Sequence, residues 1–139
     1  FHWASTYQHA AQLLRKFDRG HMDEERLKQY MRDAGIEVVD TDASTGKQIR
    51  FSVPGVKFLS GSIDGAIRGM PELPEDTWAL WECKSMGPST FKQLKKNGLE
   101  KANWKYWTQC HLYMHHSNGL KHCVFMAVNC DSQELRRNL

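Results

Sequence analysis

Long apolar runs are absent from this 139-residue sequence. No segment approaches the roughly 20 consecutive apolar residues that a membrane-spanning helix needs, and no basic-then-apolar signal segment stands at the start. The sequence therefore predicts a soluble, cytoplasmic protein with no membrane association. Internal repeats and low-complexity segments are also absent, and 139 residues suffice for one hydrophobic core, so we expect a single domain over residues 1–139.

Cysteine is scarce, with four residues and no Cys-x-x-Cys pair, at positions 83, 110, 123 and 130. This pattern does not resemble a secreted disulfide scaffold and predicts reduced thiols. An alternative is a structural zinc site, in which His111 and His115 chelate from one helix with Cys110, His122 or Cys123 as further ligands. Its support is weak, because no cysteine pair has zinc-finger spacing.

The formal net charge is only +3, but the charges are unevenly distributed. Residues 84–105 carry one acid, Glu100, against six lysines, at 84, 92, 95, 96, 101 and 105. Residues 21–42 show the reverse, with more acids than bases. A local basic band suits a phosphate backbone; the alternative is a solvated lysine face on a helix.

The order of periodic segments predicts an α/β fold with a mixed central sheet flanked by helices. Helical spacing predicts helices over residues 3–17, 22–34, 88 to about 98, and 99–116. Alternation and short apolar runs predict strands over residues 36–40, 48–53, 56–68, 78–84 and 121–128. Gly35 is expected to end the second helix, and Pro54 with Gly55 to form a turn.

Residues 78–84, Trp-Ala-Leu-Trp-Glu-Cys-Lys, form an apolar run that ends in charges. This is typical of a buried strand whose end reaches a functional edge. Because side chains alternate along a strand, Glu82 and Lys84 are predicted to share one face, with Cys83 on the other. A proline-containing hairpin would bring Asp64, on the preceding strand, beside Glu82. Two carboxylates and an ammonium group would then converge on one hard cation.

A further acidic candidate lies on the second predicted helix. Its predicted inward stripe is Leu27, Tyr30, Met31 and Ala34, and its predicted solvent side is Glu25, Lys28, Gln29 and Arg32. Glu24 extends the inward stripe, so it is better placed than Glu25 to face the sheet. In the alternative interpretation, Asp23, Glu24 and Glu25 complement the dipole at a helix N-terminus. His21 is predicted either to lie at the edge of the site or to cap the helix.

Gln109 and Tyr113 are four residues apart in the last predicted helix and therefore share a face. Taken alone, such a pair is most often structural, supplying a hydrogen bond and packing. The aromatic residues just before it, Trp104, Tyr106 and Trp107, are candidates for stacking on unpaired bases or for core and interface packing.

The pattern of Asp64 followed by Glu82-x-Lys84 resembles the PD-(D/E)XK nuclease superfamily, whose core supplies an acid from one strand and Glu-x-Lys from the next. Ile63 stands where the family name has proline, at a position that varies widely in the family. Residues 20–24 and the Gln109-x-x-x-Tyr113 tract are similar to motifs of its phage lambda-exonuclease-like subgroup, which includes YqaJ-type viral recombinases and RecB-like nucleases. The resemblance covers most of residues 20–131, with diagnostic residues at a handful of positions, and implies a restriction-endonuclease-like core.

The resemblance also implies a role for each site residue. Mg²⁺ or Mn²⁺ would be held by Asp64, Glu82 and the backbone carbonyl of Cys83. Glu24 would also contribute, either directly or through water. Lys84 would orient the attacking water and stabilise the transition state. Gln109 would order this lysine or contact the phosphate, with support from Tyr113. The DNA backbone would be bound by Ser85, Ser89, Thr90, Lys92, Lys95 and Lys96.

The function implied is metal-assisted hydrolysis of DNA phosphodiester bonds that leaves a 5′-phosphate. The first hypothesis is a phage-type exonuclease that processes DNA ends for recombination or repair in the infected bacterial cell. Alternatives are a structure-selective or single-strand endonuclease on the same core, and a catalytically silent DNA-binding module. Expected partners are DNA ends or single strands, a single-strand annealing protein and a second copy of the chain.

Overall fold

The computed structural model describes residues 2–53, 56–117, 119–131 and 135–138, and its side-chain description covers residues 14–16, 18–50, 61–117, 119–131 and 135–137. The turn expected at Pro54 and Gly55 lies outside the described residues. The elements in chain order are α1 (His2–Asp33), β1 (Glu37–Val39), β2 (Arg50–Val53), β3 (Val56–Ser62), β4 (Gly65–Arg68), β5 (Ala79–Met86), α2 (Pro88–Ala102), α3 (Trp104–His116), β6 (Cys123–Asn129) and β7 (Leu135–Asn138).

In the described part of the chain, the main sheet has five strands in the order β1-β4-β5-β6-β7. Of the four strand pairs in it, β5–β6 is parallel, and β1–β4, β4–β5 and β6–β7 are antiparallel. The helical connection through α2 and α3 is what a parallel neighbour requires. The predicted α/β class with a mixed central sheet is therefore confirmed.

The sheet is covered on both faces. Leu27 and Met31 of α1 pack against Trp81 and Cys83 of β5. On the other face, Phe91 of α2 and Cys110 of α3 cluster with Met86 of β5. Tyr113 of α3 forms a second cluster with Leu80 of β5. Strand β5 is thus buried between α1 on one side and α2 with α3 on the other, as its apolar sequence predicts.

Helix α1 is one continuous helix, where two helices over residues 3–17 and 22–34 were expected. The intervening residues contain no proline, and Gly20 alone costs a helix only about 1 kcal/mol relative to alanine. A Cβ at Gly20 would lie 3.9 Å from Ser85 Oγ, so this glycine faces the end of β5. The helix ends as predicted at Gly35, where Gly35 N–H donates to Arg32 O and Ile36 N–H to Met31 O.

The strand predicted over residues 56–68 is two strands in two sheets. Strand β3 pairs with β2 in a separate two-stranded sheet, while β4 pairs with β1 and β5. Between them, Ile63 N–H donates to Ile49 O at 3.0 Å and its side chain is buried against Leu80 and Tyr113. The break at Ile63 and Asp64 places Asp64 at the start of β4.

The helix predicted over residues 99–116 is also divided differently. Helix α2 continues to Ala102 through a kink at Gly98, whose backbone (φ 75°, ψ 170°) is not helical. The chain breaks at Asn103, whose side chain accepts a hydrogen bond from Tyr106 N–H and caps α3. Strand β7 was not predicted. Within the described part of the chain, no helix has the length and apolar character needed to cross a membrane.

Candidate active site

Asp64 is held directly against β5. The β4–β5 ladder pairs Gly65 with Trp81, and one step further Cys83 N–H donates to Asp64 Oδ2 at 2.8 Å. A side-chain carboxylate thus takes the place of a backbone acceptor where the two strands separate. Asp64 lies close enough to Glu82 for the two carboxylates to repel each other.

Glu82 is the most unusual group on β5, because it is a carboxylate with only 2% of its surface exposed. Its Oε1 has no hydrogen-bond partner among the described residues. Burial, followed by the charge of Asp64, raises the pKa of Glu82 to about 9. A buried carboxylate with an unsatisfied oxygen beside a second carboxylate favours either a proton or a bound cation.

The site offers two carboxylates to a hard divalent cation and no larger set of protein ligands among the described residues. The described residues contain no group of three or more His, Cys, Asp or Glu side chains arranged to hold a metal ion. Mg²⁺ in proteins is commonly held by one or two carboxylates, with water and substrate oxygens as the remaining ligands. Asp64 and Glu82 supply such a pair, and the orphaned Glu82 oxygen is the observation that favours it.

Lys84 projects from the same face of β5 as Glu82, since side chains alternate along the strand. Its Nζ lies 5.4 Å from the centre of the Tyr106 ring. Burial opposes its charge, but the nearby Glu82 and Asp64 carboxylates outweigh burial and raise the pKa of Lys84. The lysine is therefore an ammonium ion at neutral pH, next to the carboxylate pair.

Glu24 approaches the site from α1, on the opposite face of the sheet from Glu82. It is 19% exposed, against 51% for Glu25, and forms a 3.0 Å ion pair with Lys28. Burial, then the charge of Asp64, raises the pKa of Glu24. The helix-dipole interpretation is wrong, because α1 begins at His2 and Glu24 lies in its interior.

The continuity of α1 also settles the two alternatives for His21. This side chain does not cap a helix, because it lies in the interior of α1. Its imidazole is close enough to Glu24 to oppose, in small part, the burial and the Asp64 charge that raise the pKa of that carboxyl. His21 therefore lies beside Glu24, at the exposed edge of the acidic group.

Three members of the predicted helix faces are misplaced. Tyr30 is 60% exposed and Ala34 is also exposed, although the inward stripe included both. Lys28 is buried, although it was placed with the solvent-facing residues, and its Nζ lies 3.0 Å from carboxylate oxygens of Glu24, Glu25 and Asp40. Asp40, which follows β1, provides the long-range partner, so the helical pattern alone could not locate it.

Asp23 was missed as a site residue. It is only 1% exposed, accepts a 2.9 Å hydrogen bond from Ser85 Oγ and pairs with Arg26 at 2.6 Å. Asp23 lies four residues before Leu27 and therefore shares its buried face of the helix. The helical spacing that located Glu24 could also have located Asp23. Asp23 ties α1 to the end of β5.

The helix α3 pair is formed as its spacing indicates. Gln109 Nε2 donates to Tyr113 Oη at 2.5 Å, and Tyr113 packs against Ile63 and Leu80. His111 Nδ1 instead donates to Trp107 O at 3.0 Å, and the centroids of the His111 and Trp107 rings lie 3.9 Å apart with the rings tilted by 33°. No metal-binding group that includes His111 or His115 is found in the described residues, so the structure gives the zinc alternative no support.

The residues expected to bind DNA divide between two surfaces. On α2, Lys92, Lys95 and Lys96 line a cavity of about 460 Å³ together with Asn129 at the end of β6, and Ser89 and Thr90 are exposed nearby. Ser85 faces α1 and lines a different cavity, of about 620 Å³. Basic residues of α1 that were not predicted line this second cavity: Arg15, Lys16 and Arg19.

Comparisons with protein-family models, curated proteins and solved structures found no match.

Proposed function

We propose that this protein is a metal-dependent deoxyribonuclease with a restriction-endonuclease-like core of the PD-(D/E)XK type. The observation that carries the proposal is the buried Glu82, whose Oε1 lacks a partner in the described residues, beside Asp64 and two residues before Lys84. A protein rarely buries a carboxylate in this way without a compensating ligand or a chemical use.

Asp64, Glu82 and the backbone carbonyl of Cys83 would hold Mg²⁺ or Mn²⁺, with Glu24 contributing through water because it reaches Asp64 from the other face of the sheet. When bound, such a cation polarises the scissile phosphate and lowers the pKa of a coordinated water. The protein's own side chains would orient the water and stabilise the transition state.

Lys84 has the position and charge to orient a water and to stabilise negative charge that develops on the phosphate oxygens. The Cys83 N–H fixes the rotamer of Asp64 through their 2.8 Å hydrogen bond. Gln109 donates a hydrogen bond to Tyr113 on α3, and Tyr113 lies within electrostatic range of Lys84. We assign this pair to ordering the lysine side of the site.

Basic surfaces flank the end of β5 on both sides of the sheet. The α2 surface carries Lys92, Lys95 and Lys96, and the α1 surface carries Arg15, Lys16 and Arg19. A phosphate backbone that passes across the carboxyl end of β5 would meet cations on either side of the proposed scissile position. This placement supports DNA as the substrate, with Ser85, Ser89 and Thr90 as hydrogen-bond donors.

Among nucleases, our first choice is the phage-type exonuclease. The test is incubation of the protein with linear and with covalently closed circular DNA, in Mn²⁺ and in EDTA. Mn²⁺-dependent loss of the linear DNA with intact circles is expected. Cleavage of circles would instead establish the endonuclease alternative. Binding of both DNAs without cleavage of either would contradict the nuclease proposal and favour the silent DNA-binding module.

A further inference from the structure

A cavity of about 500 Å³ lies between the kinked end of α2, helix α3 and the start of β6. Its wall includes Cys110 of α3 and Cys123, the first residue of β6. Asp64, Glu82 and Lys84 do not line this cavity. The cavity is therefore separate from the candidate active site, and it lies on the side of the sheet covered by α2 and α3.

The two cysteines in this wall belong to one apolar cluster. Both are free; Cys110 is buried and Cys123 is partly exposed. They pack together in the apolar cluster with Phe125. The interaction between the two thiols lowers the pKa of Cys110 and raises that of Cys123. A small molecule that enters the cavity can reach both side chains, because both line its wall.

The other two cysteines lack this arrangement. Cys83 packs in the α1-side core with Trp81. Cys130 lines the separate cavity beside Arg15 and Arg19. Of the four cysteines, Cys110 and Cys123 line the 500 Å³ cavity, and Cys83 and Cys130 do not.

We propose that Cys110 and Cys123 form a modification site, at which hydrogen peroxide converts the two thiols into an intramolecular disulfide joining α3 to β6. The Cys110 sulfur attacks one peroxide oxygen, the O–O bond breaks, and a sulfenic acid and one water form. The Cys123 sulfur then attacks the Cys110 sulfur, the S–O bond breaks, and the hydroxyl group leaves as a second water with the thiol proton. Two thiols thereby give two electrons and two protons to one peroxide.

The test uses the complete 139-residue chain, first reduced and then exposed to hydrogen peroxide. Remaining thiols are alkylated in denaturant, and the intact mass and a protease digest are analysed without reductant. We expect a mass lower by two hydrogen atoms before alkylation, loss of two alkylation sites, and one linked peptide pair containing residues 110 and 123. Dithiothreitol should restore both sites.

Matched variants identify the pair. Cys130→Ser should still form the linked peptide, whereas Cys110→Ser and Cys123→Ser should not, with near-ultraviolet circular dichroism reporting whether each variant is folded. Both cysteines still alkylated in the peroxide-treated protein would overturn the proposal, as would linkage through Cys83 or Cys130. The peptide map of the wild-type protein decides the outcome. A variant that fails to fold therefore does not change the conclusion.

Discussion

Cys83 N–H donates a 2.8 Å hydrogen bond to Asp64 Oδ2, so that a side-chain carboxylate continues the β4–β5 ladder beyond the Gly65–Trp81 pair. This contact fixes the carboxylate at the point where the strands diverge. It also places the negative charge of Asp64 beside Glu82, which is buried. The local backbone geometry and the proposed chemistry therefore depend on the same aspartate.

Asp64→Ala and Asp64→Asn are expected to separate these two roles. Alanine leaves the Cys83 N–H without its acceptor, so the free energy of unfolding should fall by about 1–3 kcal/mol. Asparagine keeps an acceptor oxygen and should preserve most of that stability, while binding of Mn²⁺ is lost. Urea denaturation and calorimetric titration with Mn²⁺ measure the two effects. Equal stability of the two variants would contradict a structural role for the hydrogen bond.

Glu82→Gln is expected to change the dependence of stability on pH. The pKa of Glu82 is raised from 4.5 to about 9 in the folded protein, so the unfolded chain releases this proton first. The contribution of the group is complete below about pH 4.5 and declines by about 1.4 kcal/mol per pH unit as the pH rises towards 9. Glutamine should flatten this decline. Denaturant midpoints of both proteins across this range, without metal, check the prediction; parallel profiles would refute it.

Binding of a divalent cation should be coupled to loss of the Glu82 proton. Since the pKa of Glu82 is about 9, the cation competes with a proton at neutral pH. The affinity for Mn²⁺ should rise by up to about tenfold per pH unit below this pKa. Titration calorimetry in buffers of different ionisation enthalpy would report about one proton released per cation. An affinity independent of pH would exclude Glu82 as a ligand.

Gly98→Ala tests the kink in α2. Gly98 has φ 75° and ψ 170°, a conformation that side chains other than glycine adopt at a cost of about 1–3 kcal/mol. The matched control is Gly87→Ala, because Gly87 has φ −67° and open space around its Cβ position. Thermal unfolding should show a clear loss for the first variant and a smaller one for the second, in which alanine replaces the N-cap glycine of α2. Equal melting temperatures would contradict the kinked geometry.

Features with a local physical cause could be predicted from the sequence. The buried strand β5, the shared face of Glu82 and Lys84, the Gly35 helix end and the mixed sheet follow from alternation, glycine conformation and element order. Features that depend on distant partners could not. The helical pattern places Lys28 on the solvent side, and only the folded structure brings Asp40 next to it. No local sequence feature indicates that β3 and β4 belong to different sheets.

Helix α1 contains one feature that could be predicted from the sequence and one that could not. The spacing that identifies Leu27 and Met31 as buried also favours Glu24 over Glu25, and it could have identified Asp23. The same spacing did not reveal that the helix passes through Gly20, because a single glycine weakens a helix without ending it. Packing of α1 against β5 determines the outcome there.

The most direct test of the central claim is the rate at which Lys84→Ala cleaves linear DNA in Mn²⁺ under single-turnover conditions, compared with wild type and with Lys47→Ala, at an exposed position between β1 and β2. DNA binding by all three proteins is measured in parallel in Ca²⁺. The account predicts a loss of at least about 100-fold in the Lys84→Ala cleavage rate, with binding retained and with Lys47→Ala close to wild type. Undiminished cleavage by Lys84→Ala would contradict it.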